Sequence, residues 1–166
     1  MFVNVLVRLL RRSMDNNSTV SYSPGETFEF AEKLGESLTG GEAILLDGGL
    51  GAGKTLFTKG VLNALNFDID EVTSPSFTLV NLYKTKKFDV YHIDLWRLEE
   101  GTDIAFAVGL DEILEVEKAV VIIEWSERLG EYPFTGKVFH IRIEGDGDEP
   151  RNIMVHSDEK KTHNDI

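Results

Sequence analysis

The eight residues Gly48-Gly49-Leu50-Gly51-Ala52-Gly53-Lys54-Thr55 constrain this chain more than any other stretch. They fit the pattern G-x-x-x-x-G-K-[ST] in full, and their context agrees with it. The short apolar run Ala43-Ile44-Leu45-Leu46 leads in as a buried strand, and Lys54 to Leu65 leads out as a helix. Each part has a physical task. Glycines let the backbone turn so that successive N–H groups face phosphate oxygens. The helix N-terminus adds partial positive charge. Lys54 is the candidate for the β- and γ-phosphates, and the Thr55 hydroxyl for Mg²⁺. The candidate nucleotide-binding set is therefore Gly48, Gly49, Leu50, Gly51, Ala52, Gly53, Lys54, Thr55 and the next residue, Leu56.

A phosphate loop implies a nucleoside triphosphate without naming the reaction. The guanine-specific patterns D-x-x-G and N-K-x-D occur nowhere in the chain. Past the loop the only arginines are Arg97, Arg128, Arg142 and Arg151, too scattered for the arginine-rich lid of a small-molecule kinase. Composition narrows the choice further. A net charge of −12 argues against a protein that itself grips nucleic-acid backbone. The absence of cysteine removes disulfides, thiolate metal sites and thiol catalysis, and four histidines make a multi-histidine metal site a poor reading. With 166 residues, 42% of them hydrophobic, the chain suits one domain with a substantial core.

The other elements fill out a mixed α/β domain. Thr19 to Ser23 alternates as a short strand. Ser23-Pro24-Gly25-Glu26 reads as a capping box, opening a helix whose stripe is Phe30, Ala31, Leu34 and Leu38 and which Gly40-Gly41 stops. Phe77 to Tyr83 and Phe88 to Leu95 predict an antiparallel hairpin with a basic turn, Lys84-Thr85-Lys86-Lys87. Helices are expected over 99–108 and 111–116. Strands are expected over 119–123, 138–143 and 152–155. The predicted architecture is a single P-loop NTPase-like domain, its mostly parallel central sheet flanked by helices and carrying a hairpin. The domain is placed at 14–156. Residues 1–13 form an apolar stretch followed by arginines, about half a membrane span long and unlike a signal peptide. They are read as a dispensable extension, and 157–166 as a polar tail. No membrane association is expected, and a cytoplasmic location is.

Mg²⁺ held by a P-loop needs a second carboxylate, commonly at the end of a neighbouring strand. Glu124 follows the continuous apolar run 119–123 and is the favoured candidate. Asp94 ends Val90-Tyr91-His92-Ile93-Asp94 and is the other. His92 and Asp94 share a strand face; His92 either orders the loop and its water or is a histidine bonded within a polar sheet face. Trp125 lies either against the nucleotide or in the core.

Five ordered motifs carry a resemblance: Gly51-Ala52-Gly53-Lys54-Thr55; Ser74-Pro75-Ser76-Phe77-Thr78-Leu79-Val80; His92-Ile93-Asp94-Leu95-Trp96-Arg97-Leu98; Gly109-Leu110; and Ile123-Glu124-Trp125. Together they resemble the bacterial TsaE (YjeE) family of P-loop ATPases in tRNA threonylcarbamoyladenosine (t6A) biosynthesis, from about Ser23 to Val155. The resemblance implies a hydrolase that binds ATP or ADP with Mg²⁺ and works with TsaD and TsaB, reaching tRNA only through them. It implies catalytic roles for Lys54, Asp94 and Glu124 and metal ligation by Thr55 and Glu124. It adds Ser74 and Thr78 as a switch near the γ-phosphate and Thr27 near the nucleotide. Gly49 stands where the family has Asp or Asn, Ser76 where it has Thr, and Trp96 where it has Tyr. A small-molecule kinase and a non-hydrolysing ATP/ADP sensor are the competing functions.

Overall fold

The computed structural model describes residues 16–99 and 102–158. The extension at 1–13, residues 100–101 of the expected helix and residues 159–166 of the tail lie outside the described residues. In chain order the elements are β1 (Asn16–Ser21), α1 (Pro24–Ser37), β2 (Ala43–Asp47), α2 (Lys54–Ala64), a 3₁₀ turn (Ile69–Glu71), β3 (Val80–Lys84), β4 (Asp89–Asp94), α3 (Ile104–Val108), α4 (Leu110–Leu114), β5 (Val120–Glu124), a second 3₁₀ turn (Ser126–Arg128), β6 (Val138–Glu144) and β7 (Arg151–Asp158).

The seven strands form one sheet in the order β1-β7-β6-β2-β5-β4-β3. Pairings β6–β2, β2–β5 and β5–β4 are parallel. The β1–β7–β6 flank and the β3–β4 hairpin are antiparallel. A parallel centre must be covered on both faces, so its two middle strands, β2 and β5, are apolar up to their terminal acids Asp47 and Glu124. Along β2, Ile44 and Leu46 pack into the cluster beneath α1 and α2, with Phe57 and Phe139. Ala43 and Leu45 face the opposite cluster, with Val108, Leu110 and Ile113 of α3 and α4. Adjacent side chains of a strand point to opposite faces, so one short run serves both layers. No described helix is long and apolar enough to cross a membrane.

Helix α1 begins as the capping-box pattern predicts, with one change. The Glu26 N–H donates to Ser23 Oγ (3.2 Å), but Glu26 Oε2 accepts from the Tyr22 N–H (2.7 Å), one residue before the cap. On α2 the packing face is Phe57, Val61, Leu62 and Leu65, whereas Leu56 and Ala64 are half-buried.

Several element boundaries differ from expectation. Phe77 to Leu79 is a turn and not strand: the Leu79 N–H donates to Pro75 O (2.7 Å) and Leu79 takes φ +65°. Phe77 is thereby turned outward and is 85% exposed. The helix expected from 99 starts at Ile104, because Asp103 caps the Phe106 N–H (3.2 Å). Ser157 and Asp158, assigned above to the tail, continue β7.

Candidate functional site

Strands β2, β5 and β4 are parallel neighbours, so their carboxyl ends lie together: Leu46 pairs with Glu124, and Asp94 with Glu124. Ligands of open α/β sheets bind at this edge. The glycine-rich loop bends from β2 over it into α2. Gly51 and Gly53 take φ of +77° and +108°, which side-chain-bearing residues rarely adopt. Gly49 has no atom within 4 Å of where a Cβ would stand, so the family's larger residue has room there.

Lys54 is buried, and its ammonium is folded back onto the loop. Nζ donates to Gly48 O (2.7 Å) and Gly49 O (2.8 Å) and sits 3.7 Å from the centroid of the Trp125 ring. Burial lowers its pKa below the ordinary lysine value; the charges of Glu124, Glu127, Asp94 and Asp47 pull it partly back up. Trp125 is half-buried and packs against the core cluster beneath α3 and α4, and its ring also borders the loop. It takes φ +59°, faces Lys54, and packs against Trp96 with ring centroids 4.4 Å apart.

Thr55 and Glu124 meet. The Thr55 hydroxyl donates to Glu124 Oε1 (3.0 Å), with Oε2 at 3.3 Å, and Glu124 is buried. His92 Nε2 lies 2.8 Å from the same Oε1. Asp94 does different work. Its Oδ2 accepts from Ser74 Oγ (2.7 Å) and Ser76 Oγ (2.9 Å), and its Oδ1 from the Trp96 N–H (2.9 Å). It clasps the 74–76 segment to the end of β4. Thr78 stays outside that clasp, exposed and bonded to Asn81 Oδ1 (2.9 Å).

Thr27 is buried against Ser21 Oγ (2.8 Å). It lines a cleft of about 310 Å³ with Tyr22, Pro24, Gly51–Gly53, Leu56 and Arg151. Leu50 projects at the loop tip, 77% exposed. Two braces escaped the sequence reading. Arg151 donates through Nε to Ala52 O (3.1 Å) and through Nη2 to Gly51 O (3.3 Å), holding the loop from about a hundred residues away. Asp47 Oδ1 accepts from the Glu127 N–H (3.1 Å) and from Ser126 Oγ, fixing the turn behind Trp125. Neither contact leaves a local pattern; Arg151 looked like one more dispersed arginine.

The donor set bears on which metal fits. Among the described residues no three of His, Cys, Asp and Glu converge to hold an ion by themselves. What the site offers is one hydroxyl and one carboxylate. That oxygen-only pair suits Mg²⁺, which takes few protein ligands and completes its shell with water and substrate phosphates.

Fold and site together define a P-loop NTPase-like α/β domain. The profile described as "Threonylcarbamoyl adenosine biosynthesis protein TsaE" matches residues 21–153. The chain belongs to the TsaE family. It is similar to the tRNA threonylcarbamoyladenosine biosynthesis protein TsaE of Treponema pallidum, 36% identical over 137 residues, 82% of this chain and 97% of that protein. The protein of the same name from a Nostoc species is 42% identical over 103 residues, 61% of this chain. That match spans 63% of the Nostoc protein, less than two thirds of its length. Among solved structures, Bacillus subtilis YdiB superposes with a TM-score of 0.65 at 28% identity, over 87% of each chain.

Proposed function

We propose that this protein binds ATP or ADP with Mg²⁺ and hydrolyses ATP in the cytoplasm, in the service of t6A formation on tRNA. The observation that carries the reading is the meeting of Lys54, Thr55 and Glu124 beneath one glycine-rich loop. The loop amides and the Lys54 ammonium bind and orient the phosphate chain. Thr55 and Glu124 would hold the ion. When bound, Mg²⁺ supplies positive charge to the β- and γ-phosphate oxygens. To meet phosphate, the Lys54 ammonium must exchange two loop carbonyls for the incoming oxygens. The cleft beside Thr27, Leu56 and Arg151 takes the nucleoside end. Asp94 acts through the 74–76 segment, setting when that segment reaches the γ-phosphate.

Family membership points to t6A biosynthesis, and the net charge of −12 fits a protein that reaches tRNA through partners, which we assign as TsaD and TsaB. Two measurements test the reading. Titration with ATP and ADP, with and without Mg²⁺, should show metal-dependent binding; γ-labelled ATP should release inorganic phosphate, faster in the presence of TsaD and TsaB. Label recovered in a small metabolite would make the protein a kinase. Tight binding with no release under either condition would make it a sensor.

A further inference from the structure

We infer that His92 is a positioning residue for Glu124: it serves the site only by fixing that carboxylate, so that one oxygen is anchored and the other is turned to the ion. The inference rests on the reading of the site given above. His92 stands on β4 one strand away from Glu124, its side chain wholly buried. A carboxylate accepts and does not donate, so Nε2 is the ring nitrogen that carries the hydrogen, 2.8 Å from Glu124 Oε1. Oε1 receives a second bond from Thr55 (3.0 Å), while the hydroxyl lies farther from Oε2, at 3.3 Å. Two donors on one oxygen fix the plane of the carboxyl and present Oε2.

The other face of the imidazole is the informative part. Nδ1 is buried and has no hydrogen-bond partner among the described residues, and the ring lies beside Tyr83, with centroids 6.1 Å apart. A stranded polar nitrogen in the interior lowers stability. If His92 served only to fill space between β4 and α2, an apolar side chain would do it better. The imidazole is accounted for by its one bond, to a group that can hold a metal. Histidine–carboxylate contacts of this kind behind a metal ligand commonly tune affinity by 10- to 100-fold.

The test uses three variants of the full chain: His92→Leu, His92→Gln and His92→Asn. The glutamine amide nitrogen falls near the place of Nε2, the asparagine nitrogen near that of Nδ1. Each variant is melted, titrated with ADP in the presence of a chelator, and titrated with Mg²⁺ at fixed fluorescent ATP analogue. We expect His92→Leu to bind metal-free ADP like the parent. Its Mg²⁺ midpoint should rise on the order of 10-fold. His92→Gln should recover most of that loss, and His92→Asn should not. A parental midpoint in the leucine variant overturns the inference, and so do equal defects in the glutamine and asparagine variants. If His92→Leu does not fold, the glutamine–asparagine comparison decides. A parent protein whose nucleotide binding ignores Mg²⁺ instead overturns the reading of the site itself.

Discussion

Thr55 Oγ1 and Glu124 Oε1 lie 3.0 Å apart, joining the first turn of α2 to the end of β5 across 69 residues of sequence. The hydroxyl spends its one proton on the carboxylate and keeps its lone pairs for a cation. Thr55→Ser should therefore retain Mg²⁺-dependent binding, and Thr55→Val should lose it. Glu124→Gln keeps an oxygen acceptor but loses the charge a hard cation prefers. Hydrolysis should fall by on the order of 10²-fold or more, with metal-free ADP binding retained. Glu124→Gln keeps an oxygen to accept from Thr55 and His92 but loses the charge that faces both Lys54 and neighbouring acids, so its Tm should change little. Phosphate release across a Mg²⁺ titration, run beside thermal melts, checks both claims; undiminished release would move the metal role to Asp94.

The clasp at Asp94 predicts a different pattern. Asp94→Ala removes the acceptor of the Trp96 N–H and of the Ser74 and Ser76 hydroxyls, which keep only their contact with each other (2.8 Å). Partial rehydration limits the cost to about 2 kcal/mol, a fall of roughly 4–8 °C in Tm. Hydrogen exchange at amides 73–79 should accelerate, while the α1–α2 layer keeps its protection. Ser76→Ala alone should cost less than half as much, since Ser74 still reaches Oδ2. Unchanged exchange in the alanine variant would mean that the segment is held by something else.

Close contact between α1 and α2 gives a third. A Cβ on Gly60 would stand 2.5 Å from Phe28 O and 2.7 Å from Ala31 Cβ. Gly60→Ala must force the helices apart, at about 1–3 kcal/mol. The loop itself is anchored to β2 and Arg151, so nucleotide affinity should change by no more than a few-fold. Melting and calorimetry on the same preparation separate the two effects; a loss of affinity as large as that from Lys54→Met would show that helix packing sets the loop.

What could be read from sequence was local. The loop with its strand and helix forms within about twenty residues, and Glu124 stood out as an acid closing an apolar run. The clasp was beyond reach because Ser74 and Asp94 meet only once β4 lies beside the turn. Phe77 to Leu79 has the composition of a strand, yet Pro75 and a left-handed Leu79 bend it into a turn that tertiary contacts stabilise. Arg151 and Asp47 escaped for the same reason: each bonds backbone far away in the chain. His92 was visible as a polar residue on a strand, but which of its two readings holds depends on Glu124 of the neighbouring strand.

The proton on Lys54 responds both to folding and to a bound polyphosphate. Burial lowers its pKa below the ordinary 10.5, against the upward pull of Glu124, Glu127, Asp94 and Asp47. Between the lowered value and 10.5 the unfolded chain holds this proton more firmly than the folded one. Stability therefore rises with pH through that window, and the buried ammonium is a cost at neutral pH. Lys54→Met should accordingly melt higher than the parent near pH 7. A bound polyphosphate places negative charge against the ammonium and raises its pKa again. Binding above about pH 8, where phosphate is already fully ionised, should take up protons, and affinity should weaken as pH rises through the lowered value. Calorimetry in buffers of different ionisation enthalpy measures that uptake directly. Lys54→Met should abolish it and weaken ATP binding by roughly 10- to 100-fold, the worth of a charged hydrogen bond. Proton uptake that persists in Lys54→Met would assign the titration to another group, and equal ATP affinity would remove Lys54 from the phosphate site.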